Sequence, residues 1–135
     1  MKYILDTNVL VVSISKKSPH YWIWEYLQKG KYQIAVTTDI LTEYEEVLNY
    51  FYGQEVSKNV LTTLEHLPNV QYITKFYRWE LIKIDVDDNK FVDASVAFQS
   101  EGIVTEDKHF NILKNIDFPP VQVLSIDEFQ KILHS

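Results

Sequence analysis

The chain has 135 residues, 46% of them hydrophobic and 14% aromatic, with a formal net charge of −6 and no cysteine. That length suits one domain that closes its own core, spanning 1–135, and no apolar run approaches the ~18 residues of a membrane span. The lack of cysteine excludes disulfides, thiolate nucleophiles and zinc-finger ligation, and the acidic balance argues against a protein that coats nucleic acid through a broad basic surface.

Tyr3-Ile4-Leu5 predicts a buried first strand ending at Asp6 in a polar loop. An apolar run that short, stopped by a charge, is not the core of a signal peptide, so the expected compartment is the cytoplasm. Ser18-Pro19 then offers a cap and a first-turn proline to a helix carrying Trp22, Ile23, Tyr26 and Leu27 and stopping near Gly30. Gln33 to Thr37 predicts a second strand. Thr38 or Asp39 caps a long helix with Ile40, Leu41, Tyr44, Val47, Leu48 and Phe51 on one face, ending near Gly53. Residues 57 to 67 suit another helix. Val70–Ile73 and Leu81–Val86 are candidate strands, and the acidic stretch DVDDNKFVDASVAF, residues 85 to 98, opens a helix to about Ser100. Gly102–Thr105 and Val121–Leu124 complete the strands, with a helical turn around Phe110, and Ser125 with Glu128 makes a capping box for a terminal helix. This alternation predicts an α/β fold, a three-layer α/β/α domain around a central, mostly parallel sheet.

In such a sheet, acidic residues beyond the carboxyl ends of the strands converge on one cleft. Asp6 follows the first strand, Asp88 opens the helix after the acidic stretch, and Asp107 follows Gly102–Thr105. On a helical wheel of ~100° per residue, Glu43 flanks the apolar stripe of its helix near the amino end, whereas Glu46 points away. The same wheel puts Asp88 over Phe91, Val92 and Ser95 and Asp93 on another face, making Asp93 a second-tier ligand; Asp85 and Asp87 suit capping. Carboxylates gathered in one pocket repel and need a cation, and an oxygen-only donor set suits Mg²⁺ or Mn²⁺. Two such ions about 3.5–4 Å apart can drive phosphodiester cleavage.

Together, Asp6 in ILDTNVL, Glu43 in LTEYEEVL, DVDDNKFVDASVAF and IVTEDKHF resemble PIN domains in order and spacing, over almost the whole chain. The likeness is nearest to PIN-family toxins of bacterial toxin–antitoxin systems, related to VapC-type ribonucleases. The resemblance implies a divalent-metal-dependent endoribonuclease that cuts single-stranded RNA and leaves a 5′-phosphate and a 3′-hydroxyl. It matches Asp6, Glu43, Asp88 and Asp107 to the family's acidic quartet, and Asn8 and Thr105 to its accessory polar positions. It further implies a protein antitoxin as partner and commonly a homodimer. Two residues depart from the pattern: Val86 stands where relatives often have proline, and Glu106 replaces a small residue and adds a negative charge beside the site.

Other readings of the same residues compete. An EF-hand counted from Asp85 would need glycine and glutamate where Lys90 and Val96 stand. A dehalogenase-like phosphatase using Asp6 would want a second aspartate at Asn8. A solvated acidic helix start explains the acidic stretch alone but not Asp6 and Asp107 at strand ends. His109 suits a surface histidine better than a substrate contact, and Trp22 and Tyr26 suit packing better than base stacking. Lys16, Lys17, Lys90 and Lys108 are candidates to meet phosphates. A non-catalytic module that binds RNA or a protein through its acidic cleft remains the alternative function.

Overall fold

The apolar run at the start forms β1 (Lys2–Leu5), and Tyr3, Ile4 and Leu5 are all buried although successive side chains point to opposite faces. Both faces of this strand are therefore covered, as a parallel sheet requires. A computed structural model describes residues 1–83 and 86–134. Directly after β1 comes α1 (Thr7–Ser13), where a loop was expected. Val9, Val11 and Val12 have poor helix propensity, but Val9, Leu10 and Val11 are buried, and that burial overrides it.

The helix expected from Ser18 starts three residues later as α2 (Tyr21–Gln28), because Ser18 spends its hydroxyl on the His20 N–H in a turn that precedes the helix. β2 (Gln33–Val36) and α3 (Thr38–Tyr52) follow as expected, with Thr37 rather than Thr38 or Asp39 as the cap, its hydroxyl accepting from Ile40 N at 3.2 Å. Phe51, expected on the inward face, is 62% exposed in the last turn of α3. α4 (Gln54–His66) and β3 (Val70–Tyr72) come next.

The candidate strand Leu81–Val86 is not formed on its described part: residues 81 to 83 have no regular structure and Val86–Asp88 is a 3₁₀ turn. Ile84 and Asp85, including the capping role expected of Asp85, lie outside the described residues. α5 (Asn89–Phe98) ends where Gln99 turns left-handed at φ 55°. The chain closes with β4 (Gly102–Val104), a 3₁₀ helix (Lys108–Asn115), β5 (Val123–Leu124) and α6 (Ile126–His134). The capping box is made in both directions, Glu128 N to Ser125 Oγ at 3.1 Å and Ser125 N to Glu128 Oε1 at 3.0 Å.

The five strands are all parallel, in the order β3-β2-β1-β4-β5. From β1 the chain steps outward to β2 and β3, then returns to place β4 on the other side of β1. The switch point therefore lies between the carboxyl ends of β1 and β4, where such sheets open a crevice. α5 packs across β1, β2 and β4 and carries its own first residues to that end. Elsewhere the core is aromatic: Phe129 of α6 is fully buried, with ring centroids 4.8 Å from Tyr3, 5.1 Å from Tyr32 and 5.6 Å from Trp22. Trp22 and Tyr26 are thus packing residues, 5.8 Å apart, which favours that reading over base stacking.

Candidate metal centre

Asp6 ends β1 and caps α1 at the switch point, 6% exposed. Its Oδ2 accepts the Thr105 hydroxyl at 2.8 Å, and the same hydroxyl oxygen accepts the Asp107 N–H at 3.0 Å. One side chain thereby ties the ends of the two strands together. Burial pushes the Asp6 carboxyl up from 3.8 to about 6; the bonds from Thr105 and the Thr7 backbone oppose this, and the nearby charges of Glu43 and Asp107 add to it.

Glu43 reaches the same place from the second turn of α3. The next residue, Tyr44, is fully buried and donates its hydroxyl to the Leu5 carbonyl at 2.6 Å, which locks α3 to the end of β1. Glu43 Oε2 accepts the Thr7 hydroxyl, and Oε1 pairs with Lys90 Nζ at 2.8 Å. Lys90 is held in turn by the Asp87 carbonyl at 2.7 Å. A candidate phosphate contact in the sequence, Lys90 is instead the counter-ion of a site carboxylate, its side chain only 13% exposed.

Asp88 is 9% exposed and meets Asp107 across His109: the imidazole Nδ1 lies 3.8 Å from Asp88 Oδ2 and 3.6 Å from Asp107 Oδ1. Among the described residues, ligand atoms of Asp88, Asp107 and His109 all fall within 4.8 Å of one another. Asn8, in the first turn of α1, is exposed beside Asp6. Glu106 turns its carboxylate to the Ile126 N–H at 2.7 Å, so its extra charge sits at the start of α6, where the helix dipole favours it.

Asp93 is engaged differently. Its Oδ1 accepts the Trp79 N–H at 2.9 Å, and burial raises its carboxyl while Trp79 and Arg78 work against that. The described contacts of Asp93 run to the segment at 78–80, where Glu80 adds to the rise, and not to Asp6, Glu43, Asp88 or Asp107. Asp93→Asn keeps the accepting oxygen, so activity with divalent ions is expected to stay within about twofold of wild type. A loss as large as that of the Asp88→Asn variant in the same RNA assay would return Asp93 to the ligand set.

Thr7 and Asn89 went unrecognised in the sequence, and His109, read there as a surface histidine in preference to a substrate contact, instead lies between two site carboxylates. Asn89 grips the backbone of Ile82 with both ends of its amide, accepting from Ile82 N and donating to Ile82 O, each at 2.8 Å. This holds the irregular segment against α5 beside Asp88. Only their adjacency to Asp6 and Asp88 marks Thr7 and Asn89 in the sequence. An open cleft of about 420 Å³ runs alongside, with Glu43, Arg78, Lys90 and Asp93 in its walls.

The donor set fits a hard divalent cation. Ligand atoms of Asp88 and Asp107 lie within 4.8 Å of each other, and Asp6 beside them holds its proton tightly, chiefly because it is buried and in smaller part because Glu43 and Asp107 are near.

The sequence model of the family described as PIN domain matches residues 2–109. No curated protein matches the chain. Among solved structures, the fold is similar to a chain in the crystal structure of VapBC2 from Rickettsia felis bound to a DNA fragment from their promoter. The TM-score is 0.62 and the identity 21%, over 93% of this chain and 98% of that one.

Proposed function

The chain belongs to the PIN-domain family, and on that premise we propose that it is a divalent-metal-dependent endoribonuclease that cuts single-stranded RNA. The observation that carries the proposal is the closeness of Asp88 and Asp107, whose ligand atoms lie within 4.8 Å of each other, beside a buried Asp6 that Thr105 ties to the Asp107 backbone and that feels the charges of Glu43 and Asp107. These four residues would hold Mg²⁺ or Mn²⁺. Such an ion supplies positive charge for the phosphate and makes water a better nucleophile at neutral pH.

The chain's own groups do the rest. Thr105 orients Asp6 through its hydroxyl, Thr7 and Lys90 fix the two oxygens of Glu43, and Asn89 anchors the turn that presents Asp88. Asn8, exposed next to Asp6, would meet the substrate, which would lie in the cleft beside Glu43. Cleavage leaves a 5′-phosphate and a 3′-hydroxyl. The likeness to VapBC2 supports a role as the toxin half of a toxin–antitoxin pair, silenced by a small protein antitoxin. A single domain acting in the cytoplasm and a homodimer are parts of the same proposal; among the described residues no helix is long and apolar enough to cross a membrane.

One observation favours the non-catalytic alternative: Lys90 already neutralises Glu43. Incubation of pure protein with end-labelled single-stranded RNA separates the two. Cleavage is expected with Mg²⁺ or Mn²⁺ and not with EDTA. Binding of RNA without cleavage at any divalent concentration would favour the binding module, and cleavage that persists in EDTA would sink the metal mechanism.

A further inference from the structure

We propose that His109 is a metal ligand, supplying an imidazole nitrogen beside Asp88 and Asp107 and biasing the site toward Mn²⁺ over Mg²⁺. The inference rests on the metal-centre reading above. Asp107 caps the 3₁₀ helix by accepting the His109 N–H at 2.9 Å, which turns the His109 ring back over the cap. The following residue, Phe110, is fully buried with its ring 6.2 Å from that of Phe91, so the turn is pinned to α5. Nδ1 consequently stands 3.6 Å from Asp107 Oδ1 and 3.8 Å from Asp88 Oδ2.

Ligands about 2.1 Å from an octahedral ion lie about 3 Å apart as neighbours and about 4 Å apart across it. The two separations from His109 fall between these values, and all three ligand atoms lie within 4.8 Å of one another, so closing on an ion takes modest side-chain rotations. Each of the three residues can direct one ligand atom to a common point. The His109 side chain is 43% exposed, which leaves the ion a route from solvent. Carboxylates and water serve Mg²⁺ and Mn²⁺ alike, whereas imidazole favours the first-row transition metal, so the nitrogen sets the preference.

The test uses tag-free full-length protein. Mn²⁺ binding is followed by loss of the free-ion electron paramagnetic resonance signal, and a directly bound nitrogen is detected as ¹⁴N modulation of the spin echo. Wild type is expected to show the modulation. His109→Ala is expected to lose it, to weaken Mn²⁺ by about tenfold or more, and to leave Mg²⁺, measured by competition, within about twofold. Asp88→Asn serves as the control. If it abolishes Mn²⁺ binding while wild type binds the ion without ¹⁴N modulation, His109 is only a counter-ion and this inference is overturned alone. If Asp88→Asn leaves Mn²⁺ binding intact, the carboxylate site itself is wrong and the inference falls with it.

Discussion

Asp6→Asn is expected to reduce divalent-dependent RNA cleavage by at least about 10²–10³-fold and, in the same protein, to stabilise the fold in the presence of EDTA. The two effects share one cause. A carboxyl at 6% exposure, facing Glu43 and Asp107, is costly to ionise, which places it at about 6 instead of 3.8. The folded state therefore binds this proton more tightly than the unfolded chain does. The stabilisation from Asp6 is fully present below about pH 4, declines as pH rises toward 6, and is absent above that.

At neutral pH the ionised group costs up to roughly 3 kcal/mol, which a neutral asparagine avoids while still accepting from Thr105. Thermal melts in EDTA should show the variant above wild type at pH 7 and the gap closing near pH 4. Adding Mn²⁺ should raise wild type more than the variant. A variant that melts lower than wild type at pH 7 would mean that Asp6 is not strained by its surroundings.

Asn89→Ala should cost both stability and activity. It removes two buried hydrogen bonds to Ile82, each 2.8 Å, and leaves an amide N–H and a carbonyl without those partners. At about 1–3 kcal/mol for each buried group left unsatisfied, urea unfolding should show a loss of roughly 2–5 kcal/mol. Ile82, 1% exposed, would lose its anchor, and the turn carrying Asp88 would lose its support. Cleavage at saturating divalent ion and low temperature, where the variant remains folded, should fall with it. A stability loss below about 1 kcal/mol would show that the irregular segment is held by its apolar contacts instead.

Much of this protein is written in local pattern. β1, β2 and α3 follow from short buried runs and a 3.6-residue stripe, and the terminal helix from a capping box whose two bonds form as expected. Asp6, Glu43, Asp88 and Asp107 could be selected because strand ends and helix faces restrict where a side chain points. α1 was not legible, since its valine-rich start argues locally against a helix and only burial under the neighbouring elements reverses that preference. Nor was the absence of a strand over 81–83, where the segment takes its hydrogen bonds from the side chain of Asn89.

The amino-acid sequence by itself determined most of the order of strands and helices, α1 and the segment at 81–83 excepted, together with the acidic residues and the oxygen-rich chemistry they can support, because these depend on residue type and short-range spacing. Tertiary structure alone decided what several polar groups around the site do. It paired Lys90 with Glu43, turned Glu106 to α6, gave Asp93 to the backbone of Trp79, and brought His109 between Asp88 and Asp107. A side chain's partner is set by whichever group arrives within about 3 Å from a distant part of the chain, and the topology of the sheet, not neighbouring residues, fixes that arrival.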